Sequence, residues 1–275
     1  MSRKAKRRLS MAGRILFVSI WCMFTLLPIY TALVASLTKY ENIGKNFLWP
    51  TDMYFQNYID IWHRIDLAGY FKATIIYAVG SSLISVLLAT FAAYALSRYA
   101  FRGKKFYSFI IFITQVIPQV VIAIPIYMTL NKIGLYDTYI GVILAILATS
   151  MAFPILLLRS FFDGIPVSLE EAAAIDGCSR IGILFKIIVP LSSPGIATTW
   201  ALSFFTGWGQ YLYPLILTRT SDKVPLTVGI ARLIDNQTPW EMVMTGTLLA
   251  IIPAIVIYTC AQKTLVAGLT AGSVK

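Results

Sequence analysis

The densest polar chemistry in the chain is the stretch SLEEAAAIDGCSRIGILFKIIVP, residues 168–190. Glu170, Glu171 and Asp176 fall within seven residues of one another there, in a chain with only twelve acids. Carboxylates at this spacing can cap a helix, pair with cations or meet a partner protein. No nucleophile–base pair stands beside them, so hydrolysis is not indicated. Ser168 and Glu171 have the S-x-x-E spacing of a capping box, in which the hydroxyl takes the N3 amide and the carboxylate reaches back. Leu169 to Asp176 would then form about two helical turns. Gly177 stands where a left-handed C′ residue ends a helix. Ser179 can cap a second helix that stops before Pro190. Asp176 and Arg180 are close enough in sequence to pair at the turn, and Ala172–Ala173–Ala174 leaves a face without bulk. Such an element suits a groove in another protein, and equally suits a plain interfacial link between two longer helices.

A second cluster mixes aromatic rings with amides. Trp200, Trp208, Gln210, Tyr211 and Tyr213 lie close together in sequence, and Gln115 and Gln119 are four apart. Rings can pack the CH face of a sugar while amides bond its hydroxyls; the same rings can also be packing or belt residues. Other chemistry is missing. The chain has no GxxxxGK[ST] phosphate loop, no CxxC spacing among Cys22, Cys178 and Cys260, and a lone His63 beside Trp62 and Arg64. No cofactor, metal site or catalytic residue is expected, and the chain is not read as an enzyme.

The elements that must position these residues are apolar. The chain is 58% hydrophobic and 13% charged, about half the ~25% charge of a soluble domain. Six runs reach the ~20 residues that span a bilayer: Ile15–Ser36, Ala73–Leu96, Phe106–Leu130, Thr138–Leu158, Pro194–Thr218 and Met242–Ala261. None contains Asp, Glu, Lys, Arg or His. The first run is longer than the ~7–15 residues of a signal-peptide core, so it reads as a retained signal anchor. The spans hold Pro28, Pro118, Pro125, Pro154, Pro194, Pro214 and Pro253, which kink helices for packing or around a pathway.

With the N-terminus inside, the inner segments carry fifteen Lys and Arg and four acids, a net +11. The outer segments carry eight of each sign, a net zero. Positive residues favour the cytoplasmic side, so both termini are expected there. The basic patches are topology signals aided by anionic lipid, and no nucleic acid is implied. The expected organisation is a basic N-terminus at 1–14, a six-helix membrane domain at 15–266 and a cytoplasmic tail at 267–275. Ion-coupled carriers place ionisable residues inside the membrane. This chain has none there and no phosphate loop, so any transport would draw its energy from a partner. A membrane scaffold with a docking helix and a secondary transporter stay open as alternatives.

The 168–190 segment resembles the EAA loop of permease subunits of ABC importers. Glu171-Ala172-Ala173 is followed by three residues, Gly177, nine further residues, Ile187, and Val189-Pro190. Val189 stands in place of the usual Leu and Cys178 in place of a common Ala. AAYALSRYAFRGKK (92–105), IPIYMTLNKIGLYDTYIGVIL (124–144), YPLILT (213–218) and GLTAGSVK (268–275) resemble the six-span, maltose-permease-like sugar branch. Trp208-Gly209-Gln210 departs from the Trp-Asn frequent in that branch.

The resemblance implies an all-α, type I permease architecture, with a coupling helix between the fourth and fifth spans. It implies a multi-pass protein of a bacterial or archaeal cytoplasmic membrane. Its partners would be a second similar permease, two ATP-binding-cassette ATPase subunits, an extracytoplasmic binding protein and a carbohydrate. Glu171, Ala172, Ala173, Asp176 and Gly177 would take the ATPase-coupling role. Thr270, Ala271, Gly272 and Ser273 would lie in an ATPase-contacting tail. Trp208, Gln210, Tyr211, Tyr213, Gln115 and Gln119 are the candidates for the substrate path.

Overall fold

The computed structural model describes residues 3–45, 48–50, 53–234 and 239–271. Those residues form helices and loops, with no strand among them. In chain order the α-helices are α1 (Arg3–Ser36), α2 (Asn57–Arg64), α3 (Leu67–Arg98), α4 (Lys104–Ile113), α5 (Gln119–Lys132), α6 (Tyr139–Ser150), α7 (Ala152–Asp163), α8 (Val167–Ile175), α9 (Arg180–Ile183), α10 (Val189–Leu191), α11 (Ser193–Trp208), α12 (Leu212–Leu217), α13 (Leu226–Ala231) and α14 (Trp240–Ala271). By contacts the chain divides into two units, residues 1–65 with 230–250 and residues 66–229 with 251–275.

The first unit is built on α1, whose apolar side chains stay exposed over most of its length in the isolated chain. A run this apolar needs lipid or a protein partner around it. Its C-terminal end is tied down. Asn57 Nδ2 donates to the carbonyls of Ser36 at 2.8 Å and Thr38 at 3.1 Å, and Ser36 and Tyr58 share a hydroxyl bond of 2.9 Å. Ile61 of α2 is fully buried.

The second unit is organised by α3. Its buried face is largely small residues, among them Ala73, Ala78, Ser81, Ser85, Ala89 and Ala93. Helix association in a bilayer relies on close backbone approach, which such residues permit. The crossing with α11 is the tightest example. A Cβ on Gly207 would lie 2.6 Å from Ser81 Oγ and 2.8 Å from Ala78 Cα, so only glycine fits. Around α3 sit two cores. One gathers Tyr77, Val142, Ile146, Tyr213 and Leu217; the other gathers Ala93, Leu158, Phe162, Ile183 and Ile188.

Three helical segments are long and apolar enough to cross a membrane unbroken: Met11–Ser36, Leu67–Arg98 and Trp240–Gln262. They coincide with the expected first, second and sixth runs. The fourth run is α6 and α7, bent by 57° at Met151, three residues before Pro154. The third run is split by residues 114–118 into α4 and α5. Pro118 disfavours helix in the residue before it and has no amide to give. The fifth run breaks at Gly209–Tyr211, between α11 and α12, and α11 meets the preceding helix Arg180–Leu191 at 81°.

The loop before α6 is clasped to the loop after α12. Asp137 takes a left-handed φ of 54°, which a short polar side chain tolerates. Its carboxylate accepts from the Arg219 amide at 2.9 Å, the Thr220 amide at 3.2 Å and the Thr220 hydroxyl at 3.0 Å, and Lys223 Nζ stands 3.6 Å away. Burial pushes this carboxyl up, but those hydrogen bonds and Lys223 outweigh it and hold it below its ordinary value.

Candidate functional site

The 168–190 segment is two helices meeting at a turn. The first, α8, begins two residues earlier than the capping-box spacing implies. Pro166 is the N-cap, with φ −59° and ψ 131°, and no side chain caps the helix. Ser168 is therefore already helical and Glu171 lies too far along to reach back, so the expected capping box does not form. A proline fits a helix entry because its φ is preset and its missing amide would be unpaired there anyway.

The other end follows the sequence reading. Gly177 has φ +83°. The Cys178 amide donates to the Ala173 carbonyl at 2.9 Å and the Gly177 amide to the Ala174 carbonyl at 3.1 Å. That is the six-to-one and five-to-two pattern of a Schellman ending. Ser179 Oγ accepts from the Gly182 amide at 3.1 Å and caps α9. The second helix does not stop before Pro190. A widened π turn at Leu184–Ile188 precedes it and the chain continues through Leu191. The wide turn accommodates a ring that cannot donate and would clash with the preceding carbonyl. Asp176 and Arg180 form no ion pair.

Of the five expected coupling residues, Glu171, Ala172, Asp176 and Gly177 are exposed, while Ala173 turns partly into the core. Beside them α8 presents Val167, Leu169 and Ile175, the last 87% exposed. Ile175 is thus an exposed apolar side chain next to Asp176 at the end of the helix.

Sequence reasoning missed what holds this helix. Glu170, 3% exposed, pairs through Oε1 with Arg98 Nε of α3 and accepts at Oε2 from the Tyr94 hydroxyl at 3.0 Å. Arg98 Nη2 also donates to the Ile165 carbonyl at 2.9 Å. Two acids in sequence thus have opposite fates: Glu170 is the inward anchor and Glu171 faces out. The available signal was helical phase, since Glu170 lies three residues before the core-facing Ala173.

The path candidates gather at the two helix breaks. Gln115 lies in the 114–118 gap and Gln119 opens α5; both are exposed. Trp208 closes α11, Gln210 and Tyr211 form the next gap, and Tyr211 is exposed. Trp208 stacks on Phe204 at 5.6 Å. The Gln210 carbonyl accepts from Thr227 Oγ1 at 2.7 Å. Tyr213 belongs to the core around Tyr77 and is fully buried, so its position is a packing one. Non-helical backbone at membrane depth persists where it is covered by protein or lines a water-filled cavity. Of the expected tail, Gly272 and Ser273 lie outside the described residues, while Thr270 and Ala271 continue the backbone of α14.

Residues 85–270 match the family described as binding-protein-dependent transport system inner membrane component. The chain belongs to that family. This inner-membrane component is 32% identical over 259 residues to the trehalose transport system permease protein SugB of Mycobacterium tuberculosis (strain CDC 1551 / Oshkosh), covering 92% of this chain and 93% of that protein. It is 29% identical over 277 residues to the inner membrane ABC transporter permease protein YcjP of Escherichia coli (strain K12), covering 98% of each. Its fold matches a chain from the crystal structure of a bacterial ABC transporter involved in the import of the acidic polysaccharide alginate. The TM-score is 0.81 at 28% identity, over 96% of this chain and 98% of the other. Membership resolves the three readings left open by the sequence. The chain is the multi-pass membrane permease of a binding-protein-dependent importer, not a scaffold or an ion-coupled carrier.

Proposed function

We propose that this permease moves a neutral oligosaccharide, delivered by an extracytoplasmic binding protein, and that α8 is its coupling helix. The observation that carries the second part is a short exposed helix with an apolar tip, anchored inward by Glu170 on Arg98 and closed by Gly177. A ligand-driven stroke must shift a two-state equilibrium, and moving it from 1:99 to 99:1 takes about 5.5 kcal/mol. A helix fixed at both ends can carry that push, whereas a flexible loop would dissipate it.

In this reading six spans cross the membrane with both termini in the cytoplasm. The third and fifth spans are the two broken runs, and their gaps line the sugar path with Gln115, Gln119, Trp208, Gln210 and Tyr211. A second permease faces this one, two ATPase subunits receive the coupling helices, and residues 270–273 reach toward them. Relatives named for trehalose and arabinooligosaccharides support a carbohydrate. The six apolar runs contain no cation to hold an anionic sugar, which supports a neutral one.

The test is capture of the ATPase by the permease in detergent. The wild type should retain it, and Ile175→Asp should release it while inserting normally, because residue 175 is exposed at the end of α8. Equal retention by wild type and variant would show that α8 is only a linker.

A further inference from the structure

Side-chain hydrogen bonds, and not packing alone, join α3 to the approach and start of α8. Within the last two turns of α3, Tyr94 and Arg98 hold Glu170, Arg98 holds the Ile165 carbonyl, and Ser97 Oγ donates to Asp163 Oδ1 at 2.5 Å. Toward its other end the same helix is joined again. The Tyr77 hydroxyl donates to the Lys223 carbonyl at 2.7 Å, and Thr74 Oγ1 accepts from the Leu226 amide at 2.9 Å. Tyr77 and Tyr94 are seventeen residues apart, about 25 Å along a helix. Between them α3 is one uninterrupted helix without proline, seated closely against Gly207 of α11.

The chemistry of the joint is the telling part. Apolar surfaces can slide over one another; a charge-assisted, hydrogen-bonded pair holds one geometry. Apolar side chains of similar volume commonly replace a buried ion pair with no loss of stability. Stability alone therefore does not call for Arg98 and Glu170 in this core. Holding α8 and α3 in fixed register does.

We propose that Arg98, Tyr94 and Glu170 form a positioning joint that makes α3 follow α8. Displacement of α8 then reaches the 223–226 segment through α3 and Tyr77. This rests on reading α8 as the coupling helix, and it goes beyond that reading by naming the lever and its two joints.

The experiment uses the assembled complex with its ATPase. The native cysteines are replaced by serine, and a bimane fluorophore is placed on Ser221→Cys, an exposed position beside the far joint. The probe ligand is ATP with EDTA, which binds without turnover. ATP should change the bimane signal in the otherwise unaltered permease. In R98M/E170L the change should vanish while the ATPase is still captured. Tyr77→Phe, which removes only the far hydroxyl, should abolish it as well. If R98M/E170L does not fold, Glu170→Gln serves, because it keeps volume and hydrogen bonding but not the ion pair; its response should be reduced. A full ATP response in any folded joint variant, or none in the parent, overturns the lever. A parent complex that captures no ATPase overturns the coupling reading itself, and the joint's role with it.

Discussion

Gly177 offers the most direct test, because its cost has a single source. Its φ is +83°, and a Cβ built there meets nothing within 4 Å. Any substitution penalty is therefore conformational and not steric. An L-residue in the left-handed region costs about 1–2 kcal/mol, which is a factor of about 5–30 in an equilibrium constant. The turn can relax to avoid that strain, but then the Cys178-to-Ala173 and Gly177-to-Ala174 bonds are lost and α8 and α9 change direction. In the proposed docking of α8 on the ATPase the turn must re-form, so the penalty is expected as lost affinity for the ATPase. Gly177→Ala should weaken it about 5–30-fold. Gly177→Asn should weaken it less, because Asn is the other residue that ends helices this way. Gly177→Val should weaken it at least as much as alanine. Titrating the ATPase against each variant in nanodiscs gives the affinities. Valine and asparagine variants that both bind as the wild type would refute the argument, since the turn would then not be what the ATPase reads.

Three further outcomes are expected. Asp137 is held below its ordinary pKa, so its clasp contributes stability that is present above the unfolded value of ~3.9 and lost as pH falls through the lower folded value. Melting of the wild type should approach that of Asp137→Asn only in that acid window, and equal melting at pH 7 would show that the clasp is idle. Single cysteines at Ser179 and Ser221 should react from opposite faces of sealed vesicles; labelling of both from one side would exclude the six-span topology. Gln119→Ala with Gln210→Ala should impair sugar uptake while leaving ATPase capture intact, and normal uptake would remove both amides from the path.

Some of this molecule is written in one-dimensional pattern. Unbroken apolar runs identify α1, α3 and α14, because a bilayer asks only for length and composition. Gly177 and Ser179 declare a turn and a cap through local backbone chemistry that needs no distant partner. The EAA spacing carried the family assignment for the same reason: its residues are fixed relative to each other along one short segment. The capping box failed because Pro166 moved the helix start by two residues, and a local spacing cannot report its own register. The breaks at 114–118 and 209–211 were missed because their flanks are as apolar as any span. Hydropathy counts side chains and says nothing of where backbone hydrogen bonds stop. Helical phase sets the two adjacent glutamates apart, but only tertiary structure decided which of them faced inward. Glu170 is buried because Tyr94 and Arg98, more than seventy residues away, arrive on α3 to satisfy both its oxygens. A buried charge without such partners would cost several kcal/mol, so which carboxylate turned inward waited on where α3 came to lie.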